Sequence, residues 1–279
     1  MDNILVIGGT GKTGRKVVER LEKLGHNVRV GSRNANPAFD WENPETWAAA
    51  LEGMDKVYIT FQPDLAVPGA LEAIEGLTKM ATKAGVKKLV LLSGKGEREA
   101  ELCEQVVIHS GLDYTIVRAS WFMQNFSESF FLDPILEGHV ALPKPEAQVP
   151  YVNTDDIADV AVEALLDNQH NGQIYELTGP RLLTFEEVIQ EIAQVSGREI
   201  SFTAVELEDY IKFLEQAGVP EDYVWLINYL FSNVLDANGN DVVTGDVEKV
   251  LGRTPKDFSE YAKETQQTGV WNPELTKAI

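Results

Sequence analysis

An apolar run, Ile4-Leu5-Val6-Ile7, passes directly into Gly8-Gly9-Thr10-Gly11-Lys12-Thr13-Gly14. No other feature constrains the fold as much. Four consecutive branched apolar residues read as a strand buried on both faces. Val17, Val18, Leu21 and Leu24 follow at helical spacing, and Gly25 supplies a stop. The chain therefore opens as strand, glycine turn, helix, which is the start of a βαβ unit.

Two nucleotide-binding loops share these letters. GTGKT resembles the end of a Walker A loop, but that motif needs a glycine five residues before Gly11, and Val6 stands there inside the strand. The candidate strand ends for a magnesium-holding acid, VYIT and LVLLS, carry none. The dinucleotide reading fits better. Gly8 allows the tight exit from the strand, Gly11 lets backbone approach a pyrophosphate, and Gly14 lets the helix pack against the sheet. Thr10, Lys12 and Thr13 complete the turn, where free N–H groups and the helix dipole favour phosphate.

The alternation continues downstream. Strands are expected at Val28–Val30, at Val57–Thr60, at Lys88–Ser93 and at Tyr114–Val117, with a short piece around Phe39–Trp41. Helices are expected from Pro44 to about Leu51, at Leu71–Ala81 with a stop at Gly85, and around Leu102–Val107 with a stop at Gly111. Apolar strands alternating with helices predict an α/β fold, a Rossmann-type doubly wound parallel sheet. After Arg118 the rhythm breaks into the aromatic ASWFMQNFSESFFLDPILEGH and the Pro-rich ALPKPEAQVP. A strand near Val149–Val152, a helix opened by Asn153-Thr154-Asp155-Asp156 and a strand at Ile174–Thr178 return to the sheet. A capping box, Thr184 with Glu187, then starts a mostly helical C-terminal part. The expected division is residues 1–120 plus 148–178 as an NADP(H)-binding Rossmann domain, with 121–147 plus 179–279 as a smaller substrate-binding lobe.

The choice of dinucleotide rests on the end of the second strand, where an NAD site usually carries Asp or Glu for the ribose 2′-hydroxyl. Gly31-Ser32-Arg33-Asn34 stands there instead. Arg33 suits a 2′-phosphate as a bidentate partner and can stack on adenine, with Ser32 adding a hydroxyl. Asp40 and Trp41 are expected beside the adenine. Thr60, Phe61, Ser93 and Gly94 end later strands, where ligands of such sheets lie, so they join the cofactor contacts. The cofactor expected is NADP(H).

Net charge of −20, from 44 acidic and 24 basic residues, opposes binding to nucleic acid or an anionic membrane. No apolar run reaches the roughly 18 residues a membrane span needs. The start MDNILVIGG lacks a signal peptide's basic segment and cleavage site, and the single cysteine, Cys103, excludes an internal disulfide. Both suit a cytoplasmic protein. Cys103 reads as a packed helix residue, with a reactive thiol as the alternative. The four histidines are scattered and no metal spacing emerges. LDANGNDVVTGD, residues 235–246, suggests a calcium loop but has Asp241 and Val247 where Gly and Glu belong, so it reads as a polar turn.

GGTGKTG, GSR, FDW, LLSG, RASWFMQNF, VPYVNTDDIADVA, TGPRLLTFEEV and the terminal LGRTPKDFSEYAKE together resemble the NmrA-like group of atypical short-chain dehydrogenases. The resemblance runs to about residue 265 and is nearest the festuclavine/agroclavine dehydrogenase branch and its bacterial relatives. It implies NADP(H) in a cleft, a small-molecule substrate, and a monomer or homodimer. Standard short-chain dehydrogenases use Tyr-x-x-x-Lys to protonate a carbonyl oxygen, and no Tyr of this chain has Lys four residues later. Some NmrA-like reductases use a Lys after the LLS strand. Lys95 is the candidate here, as catalytic acid or as a contact to the cofactor's ribose or phosphates.

Trp121, Phe122, Met123, Asn125 and Phe126 follow a strand end, and with Tyr229 they are the expected substrate pocket; Trp225 and Phe231 are further contributors. Two functions follow. One is an NADP(H)-dependent reductase of a small activated electrophile: iminium, quinone or enone. The ergot-alkaloid branch implies iminium substrates that accept hydride without a protein acid. The other is a redox sensor that binds NADP(H) without turnover and regulates a protein partner.

Overall fold

The computed structural model describes residues 2–235 and 239–276. In chain order the elements are β1 (Asn3–Ile7), α1 (Gly14–Lys23), β2 (Asn27–Gly31), α2 (Trp47–Leu51), β3 (Lys56–Ile59), α3 (Ala70–Ala84), β4 (Lys88–Gly94), α4 (Arg98–Ile108) and β5 (Asp113–Ala119). There follow α5 (Leu132–Glu137), β6 (His139–Leu142), α6 (Thr154–Leu166), β7 (Gln173–Leu177), α7 (Phe185–Ser196) and β8 (Ser201–Ala204). Helices α8 (Leu207–Gln216), α9 (Glu221–Tyr229), α10 (Asp246–Leu251), α11 (Phe258–Gln267) and α12 (Pro273–Thr276) complete the order.

The chain divides into two compact units. The first holds 1–119, 154–177 and 246–253; the second holds 120–153, 178–245 and 254–279. Residues 148–153 thus lie in the second unit and 246–253 in the first, opposite to the boundaries expected from sequence.

The first unit is a six-stranded parallel sheet of order β2-β1-β3-β4-β5-β7. Ile4, Leu5, Val6 and Ile7 are fully buried, as are Val57, Ile59, Leu89, Val90 and Leu91, because helices cover both faces of a parallel sheet. The expected piece around Phe39–Trp41 forms no strand. Asp40 makes only an isolated bridge to Asn43, and the backbone N–H of Asp40 is held by the Thr46 hydroxyl at 3.1 Å. The region folds as a tight local turn. Helix α3 ends at Gly85 in the left-handed region, φ 82°, which glycine adopts without a Cβ clash.

Helices α1 and α6 are laced by ion pairs. Lys16 meets Asp155 at 2.7 Å, Arg20 meets Asp155 at 2.9 Å and also Asp159, and Arg253 spans Asp156 and Asp159 at 2.6 Å each. Basic residues of α1 that follow the glycine turn are thus committed to carboxylates of this unit.

The second unit packs α7, α8, α9 and α11 around an aromatic core of Phe126, Phe131, Tyr151, Phe185, Phe231, Phe258 and Trp271. Trp271 Nε1 donates to the Phe126 carbonyl at 2.8 Å. The capping box of Thr184 and Glu187 is present, and Asp257 with Glu260 forms a second at α11. Among the elements that escaped the sequence, β6 and β8 pair in parallel, Val140 beside Phe202. Each has four residues, too short for periodicity to register. The strand expected at Val149–Val152 is absent. Val149 and Val152 make isolated bridges to Leu183 and Phe122 within the second unit, so the backbone there pairs one residue at a time. Of the turn 235–246, Asp236, Ala237 and Asn238 lie outside the described residues, so the calcium-loop comparison has no structural counterpart.

Candidate cofactor-binding site

The glycine turn is built by close packing. Gly8 has φ 70° and donates its N–H to the Gly31 carbonyl at 2.9 Å. A Cβ there would fall 2.0 Å from Thr60 Oγ1, and a Cβ on Gly14 would fall 2.1 Å from the Gly8 carbonyl oxygen. These two glycines let strand, turn and helix touch. Gly11 differs: a Cβ would meet only the Gly8 oxygen, at 3.2 Å. Gly11 is exposed, as is Thr10, so the absent side chain at Gly11 keeps an approach open. Thr13 stands at the N-cap position of α1 without capping it, and its buried hydroxyl accepts from Tyr58 Oη at 3.2 Å. The first turn of α1 carries no acidic residue, which leaves the positive end of the helix dipole unneutralised by the helix itself.

The end of β2 carries Ser32 and Arg33. The Ser32 carbonyl accepts from the N–H groups of Ala35 at 3.1 Å and Phe39 at 2.9 Å, fixing the turn. Arg33 is exposed, and among the described residues its guanidinium makes no hydrogen bond or ion pair. The chain holds nearly twice as many acids as bases, and an exposed guanidinium away from carboxylates keeps its fork of donors turned to solvent. The segment that follows builds an aromatic wall. Trp41 Nε1 donates to the Thr60 carbonyl at 3.0 Å, and the Trp41 ring lies 4.7 Å from Phe61 and 5.0 Å from Phe39, centroid to centroid. Trp47 closes the wall, its Nε1 donating to the Asp40 carbonyl at 2.6 Å. The Asp40 carboxylate accepts from the Glu42 N–H at 3.1 Å, so it is partly used in shaping its own turn.

At the ends of β3 and β4 the expected contacts are turned inward. Thr60 Oγ1 donates to the Ile7 carbonyl at 3.1 Å. Ser93 donates its hydroxyl to Glu104 at 2.7 Å. Glu104 is fully buried on α4 and held by Arg118, whose Nε and Nη2 reach its carboxylate at 2.8 and 2.6 Å. That fork pushes the Arg118 pKa up. Gly94 gives close approach to a side chain rather than to open space, since a Cβ would lie 2.0 Å from Glu97 Oε1. Lys95 is buried, and its N–H donates to the Ala119 carbonyl at 3.0 Å. Cys103 is packed, with Sγ 3.8 Å from the Leu65 carbonyl and its thiol pushed up to about 12 by burial and nearby carboxylates. This agrees with a packed residue.

Sequence reading missed Asp64, Glu97 and Glu104. The Glu104 signal was present: Ala100, Cys103, Glu104 and Val107 share the buried face of α4, so one position of an apolar helical stripe was acidic. For Asp64 and Glu97, each a few residues past a strand end, nothing in the spacing set them apart from ordinary loop acids.

In the second unit the expected pocket residues part company. Met123 and Phe126 are core, 1% and 0% exposed; Phe126 is enclosed by Phe131, Tyr151 and Phe258. Phe231 is likewise buried. They offer no surface to a ligand. Trp121, Phe122, Asn125 and Tyr229 keep exposed area. Trp121 packs edge-on against Phe185 and Phe231, and Tyr229 stacks on Trp225 at 5.3 Å. Among the described residues no three His, Cys, Asp or Glu side chains gather as metal ligands, and no helix is long and apolar enough to cross a membrane.

The chain is similar to known proteins over nearly its whole length. The chain is 31% identical to prestalk A differentiation protein A of Dictyostelium discoideum, over 94% of this chain and 92% of that one. It is 32% identical to an NAD(P)H azoreductase of Xenophilus azovorans, over 93% and 96%. Agroclavine dehydrogenase of Claviceps fusiformis is 27% identical over 96% and 98%. Among solved structures, the NADPH-dependent quinone oxidoreductase QOR2 of Escherichia coli, complexed with NADPH, shares the fold with a TM-score of 0.79. Its identity is 21%, over 94% of this chain and 99% of that one. The model of the NmrA-like family matches residues 1–262, and the chain belongs to that family.

Proposed function

We propose that the protein is an NADP(H)-dependent oxidoreductase that transfers hydride to a small activated electrophile of the iminium, quinone or enone type. The observation that carries this reading is Arg33, exposed just past the end of β2 and without a hydrogen-bond or ion-pair partner among the described residues, following a glycine turn whose Thr10 and Gly11 are exposed. The residues fit the cofactor. N–H groups of the Gly8–Gly14 turn would hold the pyrophosphate at the dipole end of α1. Arg33 would take the 2′-phosphate in a bidentate grip, and Trp41 would flank the adenine. The bound cofactor supplies hydride from its reduced nicotinamide. The protein supplies the rest: a phosphate grip that orients the cofactor, and a surface for the acceptor, for which Trp121, Phe122, Asn125 and Tyr229 are proposed. Two relatives support the reaction class, being an NAD(P)H azoreductase and an agroclavine dehydrogenase.

The test is NADPH oxidation in the presence of quinones, enones, azo compounds and cyclic iminium salts, beside direct measurement of NADPH and NADH affinity. Turnover of at least one class with NADPH preferred over NADH is the expected result. Tight NADPH binding with no turnover of any class would favour the second reading, a sensor that binds NADP(H) and acts on a protein partner. The observation favouring that reading is the absence of a Tyr-x-x-x-Lys pair.

A further inference from the structure

Helices α8 and α9 form a hairpin joined by residues 217–220. Tyr210 and Leu214 of α8, with Val224 and Ile227 of α9, are buried in the core of the second unit. The opposite faces of both helices are turned outward. A groove of about 440 Å³ is lined by Leu207, Glu208, Ile211, Lys212 and Glu215 of α8 and by Asn228 of α9. Leu207 and Ile211 are only partly covered. Four residues apart, they present two adjacent apolar positions, separated by about 6 Å along α8. On α9, Trp225 is 37% exposed. Helical spacing sets it one turn before Asn228, with Glu221 one turn earlier on the same side.

The rim carries one sign of charge. Residues 206–222 hold six carboxylates against a single ammonium, that of Lys212, and all seven groups are exposed. Lys212 lies 2.6 Å from Glu208 and 3.9 Å from Asp209, so the only cation of the rim is already committed. Glu215 makes no ion pair among the described residues.

These charges select the occupant. A second copy of a chain at net charge −20 is repelled, as are an anionic membrane and a nucleic acid. An apolar strip between acidic banks suits an amphipathic helix whose anchors recur at helical spacing and whose flanks are basic. We propose that the α8–α9 groove docks a basic amphipathic helix of another protein. The apolar stripe of that helix lies on Leu207, Ile211 and Trp225, and its Lys or Arg side chains meet Glu208, Glu215 and Glu221. In the free protein Lys212 holds the place of one partner cation. The proposal does not rest on the reductase reading, because both helices belong to the second unit and no cofactor takes part.

The probe is a fluorescently labelled amphipathic peptide of leucine and lysine, about 18 residues or five helical turns long. It is titrated with the full chain at about 0.15 M ionic strength and read by anisotropy. Saturable binding is expected. Ile211→Glu should weaken it by about tenfold or more. Glu215→Lys should weaken it about fivefold, while Glu22→Lys, the same reversal on exposed α1, shifts it by less than about twofold. Lys212→Ala should tighten binding about two- to fivefold, more than Lys23→Ala on α1. Phe213 is 62% exposed but stands two residues from Ile211, on the opposite side of α8, so Phe213→Ser should leave binding unchanged. Thermal melts accompany each variant. Should Ile211→Glu melt early, the exposed positions Lys212 and Glu215 decide. No saturable binding, equal losses from Glu215→Lys and Glu22→Lys, or a loss with Phe213→Ser overturns the groove. Anionic vesicles bound through Ile211, or a sedimenting dimer that Ile211→Glu dissociates, would give the face to another occupant and overturn the proposal as well.

Discussion

Arg118 grips the fully buried carboxylate of Glu104 with Nε at 2.8 Å and Nη2 at 2.6 Å, and Ser93 donates to the same carboxylate at 2.7 Å. A strand end, a helix and a neighbouring strand are thereby tied at one point near the C-terminal edge of the sheet. Removing one partner leaves an uncompensated buried charge. Arg118→Met should cost about 3–5 kcal/mol in unfolding free energy. The double variant Arg118→Met/Glu104→Met should recover most of that, as read by denaturant unfolding.

Arg33 has no hydrogen-bond or ion-pair partner among the described residues, so its removal should leave stability alone. Arg33→Ala is expected to weaken NADPH binding by about 1.5–3 kcal/mol, the range of hydrogen bonds to charged groups, and to leave NADH binding nearly unchanged. Titration calorimetry with both cofactors checks this. Raising salt should narrow the preference for NADPH in wild type.

The glycines of the turn should separate stability from binding. Gly14→Ala drives a Cβ into the Gly8 carbonyl, a backbone collision that must lower the melting temperature. Gly11→Ala meets only one atom at 3.2 Å, so it should melt near wild type yet lose NADPH affinity. Thermal melts and cofactor titrations of the two variants decide the matter.

Glu97 makes a pH prediction whose sign is opposite to that of most acids. Burial and like charges raise its folded-state pKa above the unfolded value, about 4.3. The folded state then binds more protons between those two values, so stability is full below about 4.3 and is lost as pH rises through the folded pKa. Asp257 runs the other way: Arg181 and the Ser259 N–H hold its carboxyl well below its ordinary range. Its contribution is present above the unfolded pKa and is lost as pH falls through the folded one. Glu97→Gln should flatten the high-pH loss, and Asp257→Asn the acid loss, in melting temperature plotted against pH.

Cys103 is fully buried and its thiol is pushed up to about 12. It should resist thiol-specific reagents at pH 8 in the folded protein and react only in denaturant. Fast labelling of the native protein would contradict the packing described.

What the sequence determined by itself is local and periodic. ILVI before a glycine turn, apolar strands alternating with helices, and the Thr184–Glu187 box are written in adjacent residues, so the parallel sheet and the α7 cap were legible. Gly8 and Gly14 were legible as a tight strand–turn–helix junction for the same reason: turn chemistry depends on backbone freedom and close approach.

Tertiary structure alone decided where polar side chains point. Ser93 looked like a cofactor contact until Glu104 took its hydroxyl, and Met123 and Phe126 looked like pocket walls until neighbouring rings enclosed them. The fork of Arg118 on Glu104 joins a strand to a helix 14 positions earlier that only the tertiary fold brings together. Burial is a property of what packs around a residue, and one-dimensional spacing carries it only where a regular element repeats; at strand ends and in loops, the neighbours arrive from elsewhere in the chain.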